Sequence, residues 1–184
     1  MVKFADTFQT EWHSAMKIAI AKLEEGEHRY QFHFRREDVG LSADYGYNYG
    51  IDLNVSLTKM GDEFLVRGRI STQADLVCDR CAEPYVADIQ DEMMVLYTLS
   101  SKLIPEDEDK QYDEVHRIDP GLMEIDLSED IRQTLIVALP LKRLCSPDCK
   151  GLCPRCGANL NFEKCTCEVE TIDPRWEALK KLLK

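Results

Sequence analysis

The chain has 184 residues and nowhere carries a run of about 18 apolar residues, so no membrane-spanning helix is expected. Its first twelve residues, Met1 to Trp12, hold no apolar stretch of the signal-peptide kind, and a soluble, cytoplasmic protein is the expectation. It has no Gly-rich phosphate-cradling loop and no nucleophile elbow. It has four histidines, His13, His28, His33 and His116, too scattered to supply an open catalytic zinc site. With none of these constellations present, no reaction can be assigned, and a non-enzymatic protein is expected. Positive charge is also short. The formal net charge of −11 argues against a general polyanion binder, because nucleic-acid affinity rests on Lys and Arg neutralising phosphates.

The charge is unevenly spread. Residues 1–141 carry 14 Lys and Arg against 28 Asp and Glu, a net of −14, whereas residues 142–184 carry 9 against 6, a net of +3. Two regions are therefore expected: a β-rich domain over 1–141 with a helix near 126–139, and a cysteine-rich tail over 142–184 ending in a helix. Any RNA contact would be local to the tail.

Residues 51–58 alternate strictly and place Ile51, Leu53, Val55 and Leu57 on one face of a half-buried strand. Met60-Gly61-Asp62 turns the chain. The return segment alternates too, with Phe64, Val66, Ile70, Ala74, Leu76 and Cys78 inward, and Gly68 reads as a bulge or tight bend. Segment 28–34 alternates as well, 85–90 resumes the extended pattern, and 16–23 reads as a short strand or a turn of helix. Residues 105–114 hold six acids in ten positions, a solvated connector by composition. In 126–139, Asp126 and Glu129 form a capping-box pattern, Ile131, Leu135 and Ala138 share a face, and Pro140 stops the helix. At the end, Asp173 and Pro174 start a helix with Trp176, Leu179 and Leu183 on one side and Arg175, Lys180, Lys181 and Lys184 available to a partner. The fold class that results is α+β: an antiparallel β-rich domain, barrel-like or sandwich, with a few helices and a C-terminal zinc-knuckle module.

Eight cysteines dominate what is present. Cys153-Pro-Arg-Cys156-Gly157 is a zinc-knuckle sequence, and Cys165 and Cys167 follow closely enough for a hairpin to complete a four-thiolate zinc site. Cys78, Cys81, Cys145 and Cys149 remain. They could form a second site pinning the tail to the β domain, so that one Zn2+ or two is expected. Alternatively, Cys145 and Cys149 could alternate with Cys153 around one metal, or Cys78 and Cys81 could stay unligated. A redox role for Cys78 and Cys81 would need a helix N-terminus to activate the first thiol, but Cys78 instead ends a strand.

Several motifs together resemble a known family. Cys78-Asp79-Arg80-Cys81 after a long strand, Ile125-Asp126-Leu127, Leu139-Pro140, Cys149-Lys-Gly-Leu-Cys153-Pro-x-Cys156-Gly-x-Asn159-Leu160-Asn161 and Asp173-Pro174-Arg175 with Leu179 resemble the bacterial YceD proteins, the large ribosomal RNA subunit accumulation family. The resemblance runs from about Lys17 onward. It implies a non-enzymatic factor supporting accumulation of large-subunit (23S) ribosomal RNA during ribosome biogenesis, with a precursor particle as partner, reached directly or through ribosomal proteins. No membrane or small-molecule substrate is implied. Because some relatives keep the central Cys-x-x-Cys and lack most of the later cysteines, the resemblance makes Arg80, Glu83 and Pro84 the expected contact surface. A Cys-x-x-Cys redox protein, or an adaptor whose acidic face attracts basic ribosomal proteins, is the alternative.

Overall fold

The structure, a computed structural model, describes residues 16–99 and 114–167. The acidic stretch before residue 114 and the segment expected to form a C-terminal helix, with Arg175, Lys180 and Lys181, lie outside the described residues.

Alternation of apolar and polar residues builds one sheet. Strands β2 (Gly26–Phe34), β3 (Ile51–Met60), β4 (Glu63–Val77), β5 (Pro84–Thr98) and β6 (Glu114–Arg117) lie side by side in that order, with β1 (Lys17–Ala19) forming a separate two-stranded ribbon with β7 (Glu124–Asp126). The first four sheet strands pair antiparallel, whereas β6 runs parallel to β5. Of the two arrangements expected from the sequence, barrel-like or sandwich, the barrel does not close among the described residues: the sheet is open, with β2 and β6 as its two edges. The second layer is helix α1 (Ser128–Ala138) with the β1/β7 ribbon.

Leu53, Val55, Leu57, Phe64, Val66, Ile70 and Val95 face this layer and are buried, as are Ile131 and Leu135 of α1. Burying an aliphatic side chain of this kind contributes about 1.5–3 kcal/mol, which fixes the register, since a one-residue slip would expose the whole set. Gly68 makes no bulge. It pairs with Val55 and Met93 in an unbroken register, and a Cβ there would lie 2.7 Å from Met93 Cε and 3.1 Å from Leu53 Cδ1. Its small size, rather than any bend, is what the packing requires.

Helix α1 starts differently from the capping box expected. Leu127 occupies the N-cap, Asp126 Oδ1 accepts the Ser128 N–H at 2.9 Å, and Glu129 is engaged by Arg132 and Gln133. Near the other end of the helix, the Tyr47 hydroxyl donates to the Leu135 carbonyl at 2.6 Å and satisfies one of the carbonyls that a helix leaves unpaired. Asp130, buried on α1, accepts from the Tyr97 hydroxyl, and its Oδ1 lies 2.8 Å from His116 Nε2, which ties the helix to β5 and β6. Among the described residues, no helix is long and apolar enough to cross a membrane.

Candidate metal centres

The cysteines are positioned by two turns of the same construction. Between β4 and β5, the Cys78 N–H donates to the Glu83 carbonyl and the Cys78 carbonyl accepts from the Ala82 N–H, both at 2.9 Å. In the tail, the Cys153 N–H donates to the Ala158 carbonyl at 2.8 Å and the Cys153 carbonyl accepts from the Gly157 N–H at 2.9 Å. In each turn the residue after the second cysteine is left-handed, with φ of 57° at Ala82 and 73° at Gly157. Glycine adopts that conformation without steric cost, whereas alanine does so at a cost of about 1 kcal/mol.

The chain leaving α1 is brought back to the first turn by a reciprocal clasp. The Arg143 N–H donates to Asp79 Oδ2 at 2.7 Å, and the Asp79 N–H donates to the Arg143 carbonyl at 2.8 Å. Cys145 thereby meets Cys81 with sulfurs 3.6 Å apart, and Cys149 meets Cys78 at 3.8 Å. Cys78, Cys81, Cys145 and Cys149 form one set, and Cys153, Cys156, Cys165 and Cys167 form another, with all sulfurs in each set within 4.8 Å of one another. Cys145 and Cys149 are thus grouped with the first turn and not with Cys153. In the second set, Cys156 and Cys165 are 3.6 Å apart and Cys165 and Cys153 are 3.2 Å apart.

These separations fit a metal. A tetrahedral zinc–thiolate site with bonds of about 2.3 Å has sulfurs about 3.8 Å apart. The electrostatics also fit. The amides of Cys145, Cys81 and Arg80 point at Cys78 and hold its thiol down to about 6, the Cys145 amide foremost, against the opposing effect of burial. The amides of Cys156 and Arg155 hold Cys153 down to about 6 in the same way. Other thiols of each set resist a second ionisation. Cys145, exposed as a residue but with its sulfur withdrawn among the other three, is pushed up to about 12 by that desolvation and by its neighbours. Cys167 is pushed up to about 12, first by Cys165 and then by Cys156. Four thiolates can share such a space only around a cation, and either set can hold a metal ion.

Polar side chains join the two sets. Asn161 Oδ1 accepts the Lys150 N–H at 2.8 Å, which fixes the orientation of the amide, so that its Nδ2 donates to Cys149 Sγ at 3.4 Å. Asn159 Oδ1 accepts the Asn161 N–H at 3.1 Å, and its Nδ2 donates to Glu83 Oε1 at 3.2 Å. Of the contact residues expected from the sequence, Glu83 is therefore used within the molecule. So is Arg80, whose Nη1 donates to the Cys149 carbonyl at 2.8 Å and whose own carbonyl accepts the Leu152 N–H at 3.1 Å. Pro84 is exposed at the start of β5. Asp79, Asn159 and Asn161 were not singled out as functional from the sequence. The signal for all three is their place in the motifs that carry the family resemblance.

The family model for the large ribosomal RNA subunit accumulation protein YceD matches residues 66–183. An uncharacterised protein of Mycobacterium tuberculosis is 32% identical over 133 residues, covering 72% of this chain and 62% of its own length. The chloroplastic large ribosomal RNA subunit accumulation protein YCED homolog 1 of Zea mays is 29% identical over 168 residues, covering 75% of this chain and 57% of its own length. Its Arabidopsis thaliana namesake is 27% identical over 161 residues, with shares of 76% and 50%. The chain thus spans roughly three fifths or less of each of these relatives. No solved structure matches. The model match over most of the chain, together with the two thiol sets on its matched turns, identifies the chain as a member of the YceD family.

Proposed function

We propose that this protein is a non-enzymatic, cytoplasmic factor that supports accumulation of large-subunit (23S) ribosomal RNA by acting on a precursor particle. The observation that carries this reading is the family match, which spans the first knuckle turn, α1 and both thiol sets. The thiol sets serve structure rather than reaction. Each holds one zinc ion, with Cys78, Cys81, Cys145 and Cys149 as one ligand set and Cys153, Cys156, Cys165 and Cys167 as the other. With four thiolates filling its coordination, a bound zinc would supply cross-linking and no open position for a substrate. The region 142–184 is then a metal module fastened onto the β domain by the first set. A redox role for Cys78 and Cys81 is disfavoured, because the pair lies between two strands with the residues only 2% and 3% exposed.

Depleting the protein and measuring the ratio of large- to small-subunit ribosomal RNA tests the reading. A fall in that ratio, with the protein co-sedimenting on large-subunit precursors, is expected. An unchanged ratio and no co-sedimentation would overturn it.

A further inference from the structure

The second knuckle continues into a turn that carries an aromatic side chain into solvent. Phe162 is 79% exposed, far more than Tyr49 at 38%, and every other Phe and Tyr among the described residues is more buried still. It is not a loose side chain on a loose loop. The Phe162 and Glu163 N–H groups both donate to the Asn159 carbonyl, at 3.1 and 2.9 Å, and Asn159 is itself tethered to Glu83. A ring carried on a backbone held this way, without apolar cover, needs little backbone ordering on binding.

Two lysines lie on the same segment. Lys150 is joined to this turn through its N–H bond to Asn161, Lys164 follows two residues after Phe162, and Leu152, 40% exposed, bridges Asn159. Lys150 and Lys164 are exposed and make no ion pair among the described residues. Unpaired cations beside an exposed ring suit a ligand with phosphates and a flat π face.

We propose that the ribbon formed by residues 149–164 binds single-stranded RNA, with Phe162 as the platform on which a base stacks and Lys150 and Lys164 as phosphate contacts. This rests on the function proposed above and assigns its RNA contact. Single strands are favoured because only unstacked bases present a free face, and zinc knuckles recognise RNA in this mode. A basic protein would be drawn to the acidic body and not to this end of the chain. Two phosphate contacts give a shallow salt dependence, a slope of about −1.4 on logarithmic axes.

The test uses the metal-loaded full chain and a labelled single-stranded RNA oligonucleotide, with its duplex as control. Preference for the single strand is expected, and Phe162→Ala should weaken binding about tenfold or more while leaving metal content unchanged. Phe162→Leu should fail to restore binding, and Lys150→Gln with Lys164→Gln should reduce the salt slope by about 1.4. Equal binding by wild type and Phe162→Ala would overturn the proposal. So would a Phe162→Ala protein that binds the oligonucleotide normally yet no longer co-sediments with precursors, because the ribbon would then dock on a protein. Wild-type co-sedimentation, measured alongside, reports separately on the function itself.

Discussion

Asn161 donates its side-chain amide to the sulfur of Cys149, so a residue of the second knuckle module helps build the first thiol set. That contact holds the Cys149 thiol below the ordinary thiol range and favours the thiolate that a metal requires. Asn161→Ala should lower metal affinity at the set of Cys78, Cys81, Cys145 and Cys149 by about ten- to a hundredfold, with a smaller effect at the other set. Competition with a chromophoric chelator reads both affinities. Unaltered binding at both sets would show that the contact is incidental.

The two knuckles differ at one position in a way that stability can report. Ala82 takes the left-handed conformation that Gly157 takes in the other turn. Ala82→Gly should stabilise the protein by about 0.5–1 kcal/mol, and Gly157→Ala should destabilise the tail by about 1 kcal/mol. Denaturant midpoints measured with metal present give both signs, and a destabilised Ala82→Gly protein would contradict the strain assigned to this turn.

Tyr47 makes stability depend on alkaline pH. Burial, with Asp91 adding to it, pushes its hydroxyl up to about 12, from an ordinary value near 10. The neutral, hydrogen-bonded form is favoured in the folded protein, so its contribution is fully present below pH 10 and is lost as pH rises from about 10 to about 12. Tyr47→Phe should cost about 1 kcal/mol at neutral pH through loss of the bond to Leu135, yet give a shallower decline across that window. Urea unfolding at a series of pH values checks this, and parallel curves for the two proteins would count against it.

Legibility in the sequence followed the physics of each feature. Strands β3 and β4 could be read because one sheet face is buried and the other solvated, which writes a period of two into residues 51–58 and 64–78. The second thiol set was readable from the spacing of Cys153, Cys156, Cys165 and Cys167, whereas the first emerged only as the remaining four, since 64 residues separate Cys81 from Cys145. The open sheet with its parallel β6 could not be read, because pairing between distant segments leaves no local pattern. Ala82 gave no turn signal, since alanine rarely adopts a left-handed conformation. Asp79, Asn159 and Asn161 are polar residues in loops, where no periodicity marks which ones turn inward.

The central claim, that the eight thiols hold two ions and that one of them fastens the tail to the β4–β5 turn, is tested most directly by elemental analysis of protein purified without chelator, alongside thiol alkylation. Two zinc ions per chain are expected, with all eight cysteines protected until the metal is stripped and an unfolded tail thereafter. Metal-free native protein with the same stability and freely alkylated Cys145 and Cys156 would contradict the account.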